Sequence, residues 1–378
     1  MKKIGIITFH NSYNCGSMLE TYAMQEAIAK MGCRDLEIIN FSSEGQKKLY
    51  SIFLEATSLK NIVKNILIAP FAPRINRNNR RYEEFKNKYF RLSRQYTDED
   101  KIDQRAYNIV VAGSDQIWNT TIKDASDHYF IDWTHNCRKV AYAPSFGAKS
   151  IQKYSKTPKK HKKYITDFDA LSIRERNGKK WIKELTGRNA ELLIDPTLLL
   201  DARKYDSIID DTNTPRSKYI FFYCPQFEPK ICALVKRISH KYKMPVICWS
   251  SKSYSIKWVW RYGFKLPKYE SPSVYLSLIK NANLVVTTSF HGTIFSTIYR
   301  KKFFVIKNGD MFGDDDRVKT LIEQLGIENR LISINFDDSF DYFAPADYSR
   351  YKRRLPELQR KAYNYIRREI IEPYEKAE

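Results

Sequence analysis

The feature that most constrains this chain is an alternation repeated along its length. Short apolar runs of strand type are followed by polar loops, and then by apolar residues at helical spacing. Residues 4–9 read as a buried strand and residues 10–16 as a polar loop. Met18, Leu19, Tyr22, Ala23, Ala27, Ile28 and Met31 then recur with the period of a helix. Ser17 and Glu20 have the spacing of a capping box, and Gly32 marks the helix end. A second strand at 36–40 completes a βαβ unit, so the sheet begins parallel. Strand-type runs continue at 108–112, 140–144, 170–174 and 192–195. A stretch rich in Asp, Asn, Thr, Pro and Ser at 201–217 reads as a linker. A second series follows at 219–223, 246–249, 284–287, 303–306 and 331–334.

This pattern predicts two doubly wound α/β domains, at 1–205 and 206–345, with a basic helical insertion at 46–107. The chain has 378 residues, 43% of them hydrophobic, enough for two cores. A long helix is expected at 346–378. Its Tyr351, Leu355, Leu358, Ala362, Ile366 and Ile370 share one face, which should bury itself on the domain seam.

No apolar run approaches the roughly 18 residues needed to span a bilayer. The chain opens straight into a strand without a signal-type segment, so a cytoplasmic protein is expected. The six cysteines form no Cys-x-x-Cys pair and are expected to be reduced, with Cys15 set apart by its place in a ligand-type loop. The net charge of +22 favours anionic partners such as phosphates, acidic glycans or lipid headgroups, or else serves only solubility. Nucleic acid is not expected, because the basic residues are spread and no recognition motif occurs.

Four segments have the composition of a site. In Val285-Val-Thr-Thr-Ser-Phe-His-Gly-Thr-Ile-Phe-Ser296 a strand should end near Thr288. Residues 289–292 should form a turn and residues 293–299 a helix whose N-terminus favours an anion. Gly292 would let a ligand approach the backbone. His291 would be an anion clamp, an acid, or a helix cap. In Val110-Val-Ala-Gly-Ser-Asp-Gln-Ile-Trp-Asn119, Gly113 should make the turn. Ser114, Asp115, Gln116 and Asn119 would bond sugar hydroxyls, Trp118 would stack on a sugar ring, and Asp115 would be a general base. The competing reading is an Asx-turn beside a core Trp. Arg174 ends a strand, where it would grip a carboxylate or phosphate, or pair with Glu175 at the surface. The loop 11–17, with Asn14 and Gly16, precedes a helix N-terminus.

It lacks Gly-x-Gly-x-x-Gly, and no phosphate-binding P-loop motif occurs in the chain. Asp314-Asp315-Asp316 reads as a solvated loop rather than a metal site, and no metal or cofactor is expected. Trp249, Tyr254, Trp258, Trp260, Tyr262 and Phe264, interleaved with Lys252, Lys257, Arg261 and Lys265, would be a glycan or lipid-headgroup contact or core packing.

Taken together these segments resemble a known family. Ile6-Ile-Thr-Phe-His-Asn-Ser-Tyr-Asn-Cys-Gly-Ser-Met-Leu-Glu-Thr-Tyr-Ala-Met-Gln25 is similar to the opening of polysaccharide pyruvyl transferases. So are Ala112-Gly-Ser-Asp-Gln-Ile-Trp-Asn119, Ser172-Ile-Arg-Glu175, Asp195-Pro-Thr-Leu-Leu199, Ser289-Phe-His-Gly-Thr-Ile-Phe-Ser296 and Asp316-Arg-Val-Lys-Thr-Leu-Ile322, in the family's order. The resemblance implies two Rossmann-like domains in a GT-B-like arrangement. It also implies pyruvyl transfer from phosphoenolpyruvate to two hydroxyls of a sugar, giving a cyclic ketal. His291 and Arg174, with Phe290, Gly292 and Thr293, fall where the family holds phosphoenolpyruvate. Asn14, Gly16, Ser114, Asp115, Gln116, Trp118 and Asn119 are left for the acceptor. Thr288 stands where the family usually has an acidic residue. A nucleotide-sugar glycosyltransferase and a non-catalytic glycan-binding protein are the alternatives. A lipid-linked or otherwise anionic acceptor is expected, met at the inner face of a membrane by peripheral contact.

Overall fold

In the computed structural model, residues 3–307 and 315–377 are described; Asp314 of the acidic run lies outside them. The first sheet holds β1 (Lys3–Ile7), β2 (Leu36–Phe41), β3 (Leu92–Tyr96), β4 (Tyr107–Ala112), β5 (Arg138–Ala141), β6 (Ala170–Ile173) and β7 (Glu191–Leu192). Their order is β3-β2-β1-β4-β5-β6-β7, every pair parallel. The second sheet holds β8 (Ile220–Tyr223), β9 (Val246–Cys248), β10 (Leu284–Thr287), β11 (Phe303–Ile306) and β12 (Leu331–Ile332). Its order is β12-β11-β10-β8-β9, again all parallel. Central strands such as β10 and β11 are buried at every position, as sheets covered on both faces require.

Three local expectations are corrected. The segment 46–107 is not wholly helical: it contains the end of α2 (Glu44–Tyr50), α3 (Leu59–Ile68) and α4 (Ala72–Tyr89), but also β3. As a half-exposed edge strand of sequence LSRQY, β3 has no apolar run to betray it. Helix α1 (Cys15–Lys30) starts earlier than the Ser17–Glu20 box, because the Asn14 side chain accepts from Gly16 N. Glu20 is buried instead, accepting from Ser114 N at 3.1 Å and from Thr8 Oγ1 at 3.1 Å. α2 (Glu44–Tyr50) is capped by Ser43.

The C-terminal helix Ser349–Ile366 crosses from one domain back to the other. Near its start Tyr348 Oη donates to Lys301 O, beside the second sheet. Further along, Gln359 Nε2 donates to Leu198 O, and the hydroxyls of Tyr363 and Tyr365 donate to Leu199 O and Ala141 O in the first domain. A single apolar core joins Ile4 and Val111 of the first sheet, Phe221 and Val285 of the second, and Tyr365 and Ile366 of this helix. Two Rossmann-like domains joined in this way form a GT-B-like arrangement.

Candidate functional site between the two sheets

In each sheet, one pair of neighbouring strands sends its connections in opposite directions: β1 with β4, and β8 with β10. A crevice opens beyond the carboxyl ends of such a pair. The residues following these strands carry most of the segments singled out above.

The two domains meet through His291. The helix Phe290–Ile298 begins earlier than expected, with Ser289 as its N-cap accepting from Gly292 N, so His291 lies in its first turn. The imidazole lies against the first turn of α1: a Cβ placed on Gly16 would fall 2.2 Å from His291 Nδ1. Gly16 is thus glycine because the ring occupies the space of a side chain. On the other side, His291 Nε2 is 3.5 Å from Asp195 Oδ2, which accepts from Arg174 Nη1 at 2.6 Å. Asp195 follows β7, and its Oδ1 accepts from Thr197 N and Oγ1. Burial alone would raise the pKa of Asp195; the neighbouring His291 and Arg174 outweigh it and hold the carboxyl well below its usual range. The acidic neighbour of His291 is thus Asp195, in the opposite domain.

Arg174 is buried, not paired at the surface with Glu175. Its guanidinium carbon lies 4.1 Å from the centroid of the Phe290 ring and its Nη2 is 3.8 Å from Asp115 Oδ1. Glu175 turns away, accepting from Phe146 N, and burial pushes its carboxyl up to about 7 against the pull of Arg174 and Arg317. Asp115 accepts from Gln116 N at 2.8 Å and from the Ser17 hydroxyl. The sharp turn falls on Asp115 itself, at φ 69°, rather than on Gly113. Glu20 sits behind this cluster. Burial, then the charges of Asp195 and Asp115, raises its pKa well above its ordinary value. Arg317, chelated by Asp315, lies within electrostatic reach of Asp115 and Glu175.

One buried donor here, Arg174 Nε, has no hydrogen-bond partner among the described residues, and His291 Nε2 has only the 3.5 Å contact with Asp195 Oδ2. Leaving a buried polar group unsatisfied costs about 1–3 kcal/mol, more when it is charged. Both belong to side chains gathered around Asp195 Oδ2, and both could donate to an anionic group.

The structure engages several of the expected residues with other parts of the chain, and it overturns the stacking role of Trp118. Trp118 offers no face to a sugar: it is fully buried among Phe130, Phe146 and Phe168 and donates to Tyr129 O. Ser114 is buried, donating to Ala143 O and reaching Asp195. Asn119 is occupied by Gln116 and Thr121. Gly292 packs against Thr287, whose Oγ1 would lie 2.5 Å from an added Cβ. The Thr293 hydroxyl donates to Ser289 O within its helix. Asn14 keeps a place at the crevice. It lines a cavity of about 430 Å³ together with Tyr13, Tyr50, Asn78, Tyr82, Tyr223, Ser251 and Glu270. Glu270 is buried and accepts from Ser251 N and Oγ, and its own N donates to Asn78 Oδ1. In the sequence Asp195 stands out only as part of Asp195-Pro-Thr-Leu-Leu199, and its signal is a carboxylate that follows a strand at the same edge as Arg174. Nothing local marked Glu270 or Asn78, which meet only across the domains.

A wider depression of about 720 Å³ is lined by Lys236, Arg237 and Lys241. These lie in the last turns of the helix Pro229–Tyr242, at the end of the sheet opposite the strand carboxyl ends. Among the described residues no cluster of His, Cys, Asp and Glu has the form of a metal site.

The contact between Gly16 and His291 gives a direct test. Gly16→Ala is expected to displace the imidazole and lower turnover by about a hundredfold or more, the usual worth of one positioned catalytic group. Circular dichroism should show the helical content kept. A variant with unaltered turnover would mean that this contact is incidental.

Solved structures of similar architecture have little sequence in common with the chain. The S. aureus MnaA structure with UDP is 13% identical, covering 97% of this chain and 96% of that one, with a TM-score of 0.47. UDP-GlcNAc 2-epimerase from Neisseria meningitidis is 11% identical over the whole of both chains, with a TM-score of 0.45. E. coli ADP-heptose LPS heptosyltransferase II is 8% identical over 95% and 99% of the two chains, with a TM-score of 0.36. No curated protein matches the chain in sequence. The family described as polysaccharide pyruvyl transferase matches residues 14–310, a span that runs from the Asn14 cap through Asp115, Arg174 and Asp195 to the His291 turn. The chain is an enzyme of the polysaccharide pyruvyl transferase family.

Proposed function

We propose that the chain transfers the pyruvyl group of phosphoenolpyruvate to two hydroxyls of one sugar in a polysaccharide or its precursor. The observation that carries this reading is the buried cationic cluster of Arg174 and His291 around Asp195 at the crevice. Phosphoenolpyruvate bears a carboxylate and a phosphate. Arg174, His291 and the amide groups at two helix N-termini match those anions in charge and hydrogen-bonding capacity. Protonation of the methylene carbon makes C2 electrophilic. One sugar hydroxyl adds to C2, phosphate leaves, and the second hydroxyl closes the ketal. The two hydroxyl protons balance the new methyl group and the released phosphate.

In this reading His291 is the proton donor or anion contact, Arg174 the phosphate or carboxylate clamp, and Asp115 the base for a hydroxyl. The acceptor enters the 430 Å³ cavity, where Tyr, Asn, Ser and Glu side chains supply the mixture of ring faces and hydrogen-bonding groups that suits a saccharide. Asp115→Asn tests the division of the crevice. Asparagine tolerates the left-handed backbone at this position. The variant is expected to fold and to bind phosphoenolpyruvate, while transfer slows by roughly a hundredfold. Loss of phosphoenolpyruvate binding measured by calorimetry would instead place Asp115 in the donor site.

A further inference from the structure

Helix α3 carries an apolar face turned to solvent. Leu59, Ile62, Val63 and Ile66 are 82%, 41%, 55% and 66% exposed, and their spacing places them on one stripe. Elsewhere on the helix, the Asn65 side chain is held by both backbone groups of Leu54, and Ile68 is buried. The stripe is therefore left outside by a helix already docked. Scattered exposed leucines are ordinary, but a contiguous apolar stripe marks a contact surface.

Its surroundings indicate what it contacts. Phe53, 45% exposed, lies in the segment leading to α3. Beyond the other end of the helix, Phe71 stacks on Trp260 with ring centroids 6.1 Å apart, and Trp260 stacks on Trp258 at 6.2 Å. These two tryptophans are 43% and 49% exposed, whereas Trp249, Tyr254 and Phe264 of the same aromatic-basic stretch are buried. Lys60, Lys257 and Arg261, next in sequence to Leu59, Trp258 and Trp260, are exposed. Protein interfaces are depleted of lysine. An aliphatic stripe bordered by exposed tryptophan and by Lys and Arg instead matches the boundary of an anionic bilayer, where the aliphatic groups enter, the indoles sit at headgroup level and the cations meet lipid phosphates.

We propose that the face formed by α3 and the Trp258–Arg261 segment docks on a membrane surface containing anionic lipid, as a shallow contact that does not span it. No described helix is long and apolar enough to cross. The net charge of +22 acts in the same direction. The docking face also adjoins the cavity of the proposed acceptor: Leu49 and Leu54 line that cavity, and Lys252, another lining residue, donates to Leu49 O and Ser51 O. If the pyruvyl-transfer reading holds as well, docking brings the cavity beside a lipid-carried saccharide.

The test is co-sedimentation of the full chain with phosphatidylcholine vesicles with and without phosphatidylglycerol, without donor or acceptor, so that its outcome is independent of the proposed reaction. The chain is expected to bind the mixed vesicles, less so as salt is raised, and to bind pure phosphatidylcholine at least about tenfold more weakly. Val63→Glu/Ile66→Glu, two exposed positions, should keep the circular dichroism spectrum and lose at least about tenfold in partition, since it removes two aliphatic groups from the apolar boundary. Failure to bind either vesicle at low salt would overturn the proposal, as would equal partition of the variant. A dimer dissolved by the same double substitution, with no vesicle binding, would assign the face to a second copy of the chain instead.

Discussion

Arg174→Ala is expected to lose both turnover and stability. The guanidinium is buried and neutralises Asp195, whose carboxylate is fully enclosed. Removing one partner of a buried pair leaves an uncompensated charge and typically costs about 3–5 kcal/mol. Urea denaturation should register a loss of that size. Arg174→Lys should restore a positive charge and recover much of the stability. It should still weaken phosphoenolpyruvate binding by about tenfold to a hundredfold, because an ammonium cannot reproduce the planar fork. Asp195→Asn in the Arg174→Ala background should relieve part of the destabilisation, since no buried charge is then left alone. Strict additivity of the two substitutions would show that the pair is not coupled.

The second large effect is expected at His291. His291→Gln should lower kcat/KM by about a hundredfold or more, with a smaller loss of stability than Arg174→Ala. His291 Nε2 lies 3.5 Å from Asp195 Oδ2, against 2.6 Å for Arg174 Nη1, so less native bonding is lost, whereas the position between Asp195 and the first turn of α1 is lost entirely. The division of the effect is informative. A fall in kcat at constant affinity for phosphoenolpyruvate identifies a proton donor; a rise in Kd identifies an anion contact. An unchanged kcat/KM would remove His291 from the site.

What the sequence made legible follows from where each signal is written. Strands such as β8, β10 and β11 are buried on both faces, so each is a continuous apolar run and their limits are plain. The edge strand β3, half in solvent, has no such run and was absorbed into a helical insertion. At the start of α1, Asn14 and Ser17 are both competent caps. Only the packing decides between them, because Glu20 is claimed by Ser114 N and Thr8 rather than by the cap. Arg174, Asp115 and His291 were legible because each follows a strand, and strand carboxyl ends converge on one crevice. Trp118 follows a strand too, but neighbouring residues at a strand end turn in different directions, and this one turns into the core. The contacts of His291 with Gly16 and Asp195 join distant parts of the chain, and nothing in the local pattern announces them.

The most direct measurement is thermal denaturation of the full chain with phosphoenolpyruvate, set against the same experiment with a nucleotide sugar. A ligand at a hundred times its Kd stabilises the folded state by about 2.7 kcal/mol. Pyruvyl transfer requires that phosphoenolpyruvate raise the melting temperature and that His291→Gln or Arg174→Lys diminish the rise. A rise with the nucleotide sugar, with none from phosphoenolpyruvate at millimolar concentration, would contradict it.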